Sequence, residues 1–197
     1  MKKALLVIDY INGIAENGTC AAYLRERPEV IANTNTLIKI FRQYNYPIYF
    51  IRLAFDASYE GLPNYAPNAK MMRENKKFLL GSSDVEFITS LYFNIKEDFV
   101  FDKKYGDPFY GNSLLETLKS TEIDEVVLTG LSTENALLYG AATAMINNFK
   151  VTLIQDACGA PTQQQHEAAI ALMKGRTINA VLNTQEFLTE YKYHNRD

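Results

Sequence analysis

The chain has 197 residues, of which 47% are apolar, with 20 basic and 23 acidic side chains and a formal charge of −3. This length and apolar content suit one continuous core, so we expect a single domain over residues 1–197. The charge lacks the basic excess that binding to nucleic acid requires, and no run approaches the roughly 20 apolar residues that cross a bilayer. With two scattered cysteines and no signal-peptide core, we expect a cytoplasmic protein without membrane partners.

The first half of the chain predicts two strands, one helix and a long irregular segment. Residues 3–8 form a short apolar run typical of a strand buried on both faces of a parallel sheet. Apolar residues recur at helical spacing over residues 29–44, after Pro28, and a second strand is predicted over residues 48–53. Residues 54–94 contain glycines and prolines with weak periodicity, so we expect loops and short helices there, of the kind that often shape binding pockets.

Strands and helices alternate regularly in the rest of the chain. We predict strands over residues 98–102, 125–129, 151–154 and 178–182, and helices over residues 113–118, 133–147, 163–174 and 184–191. This repetition predicts an α/β fold, a Rossmann-like three-layer α/β/α sandwich with a mostly parallel sheet of about six strands. In such sheets, ligands bind beyond the carboxyl ends of the strands.

Three candidate positions fall at predicted strand ends. Asp9 follows the first strand, Lys103 the third, and the turn of residues 130–136 the fourth. An Asp and a Lys that converge on one pocket form a plausible proton-handling pair, with the carboxylate as general base and the ammonium holding it ionised. Taken singly, each has a simpler interpretation, because an Asp ending a strand is commonly a turn residue and a Lys is commonly a solvated charge.

Four segments, in order from about residue 3 to residue 187, resemble the isochorismatase-like cysteine hydrolases. Residues 4–13 look like the opening strand of that superfamily, and residues 103–109 are similar to its Lys segment, in which Phe follows Lys at a fixed spacing. Residues 130–136, Gly-Leu-Ser-Thr-Glu-Asn-Ala, look like its Gly-Val-x-Thr-x-x-Cys-Val signature. Residues 151–170 resemble its closing strand and helix.

The resemblance implies hydrolysis of a C–N bond in a small amide by an Asp-Lys-Cys triad. Asp9 would deprotonate the thiol, Lys103 would support the charges, and the Cys would attack the carbonyl. The nucleophile position is occupied by Ala136, which has no nucleophilic atom. The backbone N–H groups of Ser132 and Ala136 would form the oxyanion hole at a helix N-terminus. The resemblance also implies a cis peptide bond between Leu131 and Ser132, and a homo-oligomer, either a dimer or a tetramer.

Three explanations of Ala136 stay open. It is an engineered Cys→Ala change that leaves an inactive form, or it belongs to a natural pseudoenzyme that only binds a ligand. Alternatively, it is natural as in true isochorismatases, which lack the Cys and cleave a vinyl ether with Asp as the acid. Two features argue against that last subgroup: Gly106-Asp107-Pro108 replaces the usual Ser-Ala before the Phe, and Ile11 replaces a Gln.

Pocket walls, cofactors and other nucleophiles can also be predicted. The residues that follow the strand ends suit a small planar ligand with a carbonyl or amide group, and are Tyr10, Asn12, Phe55, Tyr105, Phe109 and Asn135. The loop after the second strand lacks the His ligands of metal-dependent nicotinamidases, and no glycine loop for a nucleotide is present, so we expect neither a metal nor a cofactor. Ser132 lies outside a Gly-x-Ser-x-Gly elbow, Cys158 has no His nearby in sequence, and His166 is expected to pack early in a helix.

Overall fold

Six strands form the centre of the structure, a computed structural model that describes residues 1–194. The strands are β1 (Lys3–Ile8), β2 (Ile48–Leu53), β3 (Phe99–Lys103), β4 (Glu125–Leu131), β5 (Lys150–Gly159) and β6 (Ala180–Leu182). The helices are α1 (Asn12–Ala15), α2 (Ala21–Glu26), α3 (Glu29–Gln43), α4 (Ala69–Glu74), α5 (Leu114–Ser120), α6 (Leu138–Ile146), α7 (Gln163–Met173) and α8 (Thr184–His194). A 3-10 helix spans Ser83–Val85, and a π-helical turn, Thr133–Leu137, directly precedes α6.

The strands form one sheet in the order β3-β2-β1-β4-β5-β6, and every neighbouring pair is parallel. Alternate residues of β1 face two separate cores. Leu5 and Val7 pack with side chains of α3 and α8, whereas Ala4, Leu6 and Ile8 pack with side chains of α5, α6 and α7. Burial on both faces explains the continuous apolar run of this strand. The predicted three-layer α/β/α sandwich is therefore confirmed.

After β1 the chain adds β2 and β3 on one side of the sheet, and after β4 it adds β5 and β6 on the other side. The order of the strands therefore reverses between β1 and β4. At the carboxyl end of this pair, Ile8 lies beside Gly130. A Cβ atom on Gly130 would lie 2.3 Å from the Ile8 carbonyl oxygen, and the residue has a φ of 141°. Only glycine permits this approach. In open α/β sheets, the crevice beyond such a reversal is where ligands bind.

The bounds of four strands, β3, β4, β5 and β6, differ from the predictions. β5 continues to Gly159, because a register shift between Leu128 and Gly130 lets it keep pairing with the end of β4. Cys158, which is beyond the end of the strand predicted over residues 151–154, therefore lies within β5 and is fully buried. β3 begins and ends one residue later than predicted, so Lys103 is its last residue.

The sequence pattern does not predict α1 and α2. They have only 4 and 6 residues, and neither begins with a side-chain cap. Tertiary contacts hold α1 in place, since the Asn12 side-chain amide donates to the Ser83 carbonyl at 3.1 Å. Over residues 1–194, no helix is both long and apolar enough to span a membrane.

Candidate active site

Asp9 is the first residue after β1, and its side chain points across the end of the sheet. Its φ is 56°, a left-handed conformation that Asp tolerates better than most residues. Its N–H donates to the Ile51 carbonyl at 2.8 Å, and its Oδ1 accepts from the Leu53 N–H at 2.8 Å. These two bonds to β2 fix both the backbone and the carboxylate of Asp9.

Lys103 reaches the same carboxylate from the other side of β2. Its Nζ lies 2.7 Å from Asp9 Oδ2 and donates to the Gly106 carbonyl at 2.9 Å. Asp9 is 2% exposed and Lys103 is 1% exposed. An ammonium has three N–H donors, and these two acceptors leave one for another partner. The structure thus joins two of the sequence-predicted residues in a buried ion pair.

The pKa of Asp9 is raised above its usual range because burial disfavours the carboxylate form. The charge of Lys103 and the hydrogen bonds from Lys103 and the Leu53 N–H oppose that rise. The net shift is upward, so the protonated form of Asp9 persists to higher pH than that of an exposed Asp.

The loop that follows Lys103 packs against the start of α6. A Cβ on Gly106 would lie 2.6 Å from Asn135 Oδ1 and 2.8 Å from the Tyr139 ring, so the loop packs closely against these two side chains. Asp107 accepts from the Thr143 hydroxyl on α6. These contacts hold the Gly106 carbonyl, and therefore Lys103 Nζ, in position.

The turn after β4 contains Ala136, the residue at the predicted nucleophile position. The Leu131–Ser132 peptide bond is cis, as predicted, and Ala136 is 1% exposed within the π-helical turn. The Asn135 and Leu137 N–H groups both donate to the Ser132 carbonyl at 3.2 Å. In the part of the chain that the structure describes, the Ala136 N–H donates to no backbone carbonyl outside its own helical turn. Backbone N–H groups in the first turn of a helix generally have no acceptor within the helix.

The turn is also tied to α7 through His166, which is 6% exposed. Thr133 Oγ1 donates to the Gly159 carbonyl at 3.0 Å and lies 2.8 Å from His166 Nδ1. Because a hydroxyl carries a single proton, His166 Nδ1 must be the donor to Thr133. The expectation that His166 packs early in its helix is met, and the residue additionally orients the turn.

His166 makes the stability of the protein depend on pH. Burial lowers the pKa of its imidazole, so the folded state disfavours the imidazolium that the unfolded chain forms below about pH 6.5. Its contribution to stability is therefore present above that pH and is lost as pH falls toward the folded-state pKa. As pH decreases from about 7.5 to about 5.5, we expect the free energy of unfolding to fall less steeply for His166→Gln than for the parent chain. The two slopes are expected to differ by up to about 1.4 kcal/mol per pH unit. Urea denaturation checks this, and equal slopes for the two proteins would contradict it.

The structure removes two of the predicted pocket residues from the site. Tyr10 is fully buried, and its hydroxyl donates to the Ala157 carbonyl at 2.9 Å and lies 2.8 Å from Thr34 Oγ1, on the α3 side of the sheet. Phe55 is also fully buried and packs on the Tyr59 ring. The expectation that both line the pocket is corrected, because each side chain packs in the hydrophobic core.

Of the remaining four predicted pocket residues, two lie beside the loop after Lys103 and two lie elsewhere. The Asn12 side-chain amide donates to the Ser83 carbonyl, and Phe109 is buried in the core on the side of the sheet that α5 covers. Tyr105 donates to Asn68 Oδ1 at 3.1 Å and is partly buried, while Asn135 is exposed beside Gly106. Of these four, Tyr105 and Asn135 are the side chains that border the loop after Lys103.

Sequence reasoning missed Glu134 and Cys20. Glu134 occupies an x position of the signature motif, and no sequence pattern distinguishes it from a solvated acid in the first turn of a helix. Cys20 is fully buried at the start of α2, and burial, with smaller contributions from Glu134 and Asp9, raises its pKa to about 12. Among residues 1–194, no group of three or more His, Cys, Asp or Glu side chains is arranged to hold a metal ion.

Comparison with known proteins gives the family. The Isochorismatase domain matches residues 3–186. The uncharacterized isochorismatase family protein YecD of Escherichia coli O157:H7 is 30% identical, over 91% of this chain and 94% of YecD. The structure of an isochorismatase family protein from Desulfovibrio vulgaris has a TM-score of 0.83 at 17% identity, covering 97% of this chain and 98% of that one. N-carbamoylsarcosine amidase from Thermoplasma acidophilum has a TM-score of 0.74 at 23% identity, covering 94% and 98%. The chain belongs to the isochorismatase family of hydrolases.

Proposed function

We propose that this site is built to hydrolyse a C–N bond of a small amide through an Asp-Lys-Cys triad, and that Ala136 leaves it without the nucleophile. Asp9 is the general base, Lys103 is its electrostatic partner, and the backbone N–H groups of Ser132 and Ala136 form the oxyanion hole. As it stands, the chain binds the amide and cannot form an acyl-enzyme. The amidase activity of the structural neighbour from Thermoplasma acidophilum agrees with this substrate class.

The observation that carries the proposal is the buried ion pair between Asp9 and Lys103. Removing two charges from water costs several kcal/mol per ion, and a turn residue or a solvated Lys needs no such arrangement. The pair also lies at the reversal of strand order, beside the turn that contains Ala136. A carboxylate base can take the proton of a thiol at position 136, and a helix N-terminus stabilises the resulting thiolate.

The experiment is to compare ammonia release from a panel of small amides and ureides by the parent chain and by Ala136→Cys. We expect the variant to release ammonia at least about tenfold faster than the parent, because the thiol supplies the absent nucleophile while its base and oxyanion hole are retained. Ala136→Ser is the matched control, since a hydroxyl of similar size is a weaker nucleophile here. Equal, background rates for all three proteins across the panel would contradict the proposal and favour a binding protein without activity.

A second candidate function rests on the raised pKa of Asp9. A protonated Asp9 could donate to the terminal alkene carbon of a vinyl ether; water then adds to the oxocarbenium carbon, and the hemiketal collapses to a ketone and an alcohol, a reaction that needs no thiol at position 136. Release of pyruvate from isochorismate by the parent chain would support this function, and an amidase has no route to that product. The single-domain organisation, the cytoplasmic location and the homo-oligomer stay predictions.

A further inference from the structure

A cleft of about 500 Å³ lies between α7 on one side and α2 and α3 on the other. It continues onto the last part of β5, where Asp156 lines it beyond Ile154, the last residue of β5 that pairs with β6. Asp9, Lys103 and Ala136 do not line it, so this α7 cleft is separate from the proposed reaction centre. Its volume is within the range of small-molecule sites.

His166 turns an unpartnered ring nitrogen toward the α7 cleft. The imidazole lines the cleft, although the residue is only 6% exposed. Its Nδ1 donates to Thr133 Oγ1 at 2.8 Å, because that hydroxyl gives its own proton to the Gly159 carbonyl. The other nitrogen, Nε2, has no hydrogen-bond partner in the described part of the chain and is not sealed from solvent. Since Nδ1 is bonded to the turn, Nε2 is the atom that a ligand in the cleft can reach.

The protonation state of His166 makes Nε2 an acceptor. Burial lowers the pKa of the imidazole below its ordinary value of about 6.5, so the ring is neutral at about pH 7.5. A neutral imidazole carries one N–H, and in His166 it is on Nδ1. A partner of Nε2 must therefore supply an N–H or an O–H.

Acidic side chains outnumber basic ones around the cleft. Its charged lining residues are Glu29, Asp156, Glu167, Arg27 and Lys174. No two of them form an ion pair with each other in the part of the chain that the structure describes. An excess of acidic side chains attracts a cation and repels an anion. The α7 cleft therefore favours a positively charged ligand.

We propose that the α7 cleft is a second binding site, for a small organic cation that carries N–H groups, such as a primary ammonium compound. One N–H donates to His166 Nε2, and the positive charge lies among the acidic side chains. Such a charge-assisted hydrogen bond is roughly twice as strong as a neutral one. The inference goes beyond the proposed function, because no residue of the triad takes part in it.

Three matched probes test the charge and the N–H donor separately. Phenethylammonium, trimethylphenethylammonium and hydrocinnamate share a phenyl ring and a two-carbon chain; the second keeps the charge without an N–H, and the third is an anion. Histidine ¹⁵N NMR at about pH 7.5 follows the site, since the chain has two histidines, His166 and His194. We expect phenethylammonium to shift the Nε2 resonance of His166 saturably and to bind at least about tenfold tighter than either other probe. The absence of a saturable shift, or equally tight binding of either other probe, would overturn the inference.

Two substitutions assign the binding to the cleft. His166→Asn keeps an amide N–H for Thr133 Oγ1 and removes the accepting nitrogen, so we expect isothermal titration calorimetry to show about tenfold weaker binding of phenethylammonium. Glu167→Gln keeps an oxygen for the Gln163 amide, which donates to Glu167 at 2.7 Å, and removes one charge. We expect about threefold weaker binding, and this variant decides alone if His166→Asn does not fold. Glu116→Gln is the control, because Glu116 is an exposed acid on α5 that does not line the cleft. Unchanged affinity in the cleft variants, or an equal fall in Glu116→Gln, would exclude the α7 cleft as the site.

Discussion

Replacing Lys103 with methionine is expected to lower the free energy of unfolding by about 3–5 kcal/mol, because it leaves a buried carboxylate without its counter-charge. Asp9 is 2% exposed, so water cannot replace the lost ammonium. The side chains of lysine and methionine have similar length, and methionine keeps the apolar contacts of the stem. Urea denaturation at neutral pH measures the loss.

A second substitution separates lost pairing from lost packing. The double variant Asp9→Asn, Lys103→Met removes both charges, and we expect it to regain most of the stability that Lys103→Met loses. The exposed pair of Lys70 and Glu74 is the control, and Lys70→Met is expected to cost less than about 0.5 kcal/mol. A double variant that is no more stable than Lys103→Met would show that the ion pair contributes nothing beyond packing.

The largest expected effect on activity follows Asp9→Asn in the Ala136→Cys background. We expect kcat/KM for amide hydrolysis to fall by about a thousandfold, because an amide cannot take the proton from the thiol. Asparagine keeps an oxygen acceptor for the Leu53 N–H, which Asp9 Oδ1 accepts at 2.8 Å, so the turn is preserved. The rate of ammonia release, measured against substrate concentration, gives the change.

The control for that variant is Asp124→Asn in the same background. Asp124 is exposed and directly precedes β4 at the opposite end of the sheet, where it accepts from the Lys2 N–H. Asp124→Asn removes the same charge as Asp9→Asn, and we expect it to change kcat/KM by less than about twofold relative to Ala136→Cys. Similar losses in both variants would contradict a role for Asp9 as the base.

Much of the fold could be predicted because its signals are local. Residues 4–8 and 48–51 are uninterrupted apolar runs, and the structure gives the two strands that contain them the predicted bounds. A parallel sheet then places all strand ends at one edge. For that reason Asp9 and Lys103, which are far apart in sequence, could be paired from topology alone.

The rest of the site depends on tertiary contacts that no local pattern records. Tyr10 follows the first strand just as a pocket residue would, and only its hydrogen bond to Ala157 shows that it belongs to the core. Cys158 lies inside β5 because of a register shift against β4, a feature set by pairing. Glu134 is ordinary in sequence, and only the structure shows that its carboxylate accepts from the Ser132 hydroxyl.

The alkylation rate of Ala136→Cys by iodoacetamide tests most directly whether position 136 activates a thiol, and the measurement needs no knowledge of the substrate. Cys20 and Cys158 are buried, and their pKa values are raised to about 12, so the parent chain should stay unmodified. We predict rapid modification of the introduced thiol at about pH 6.5, where an ordinary cysteine is almost fully protonated. Peptide mapping assigns the site. Modification no faster than that of the same variant unfolded in urea would contradict the account.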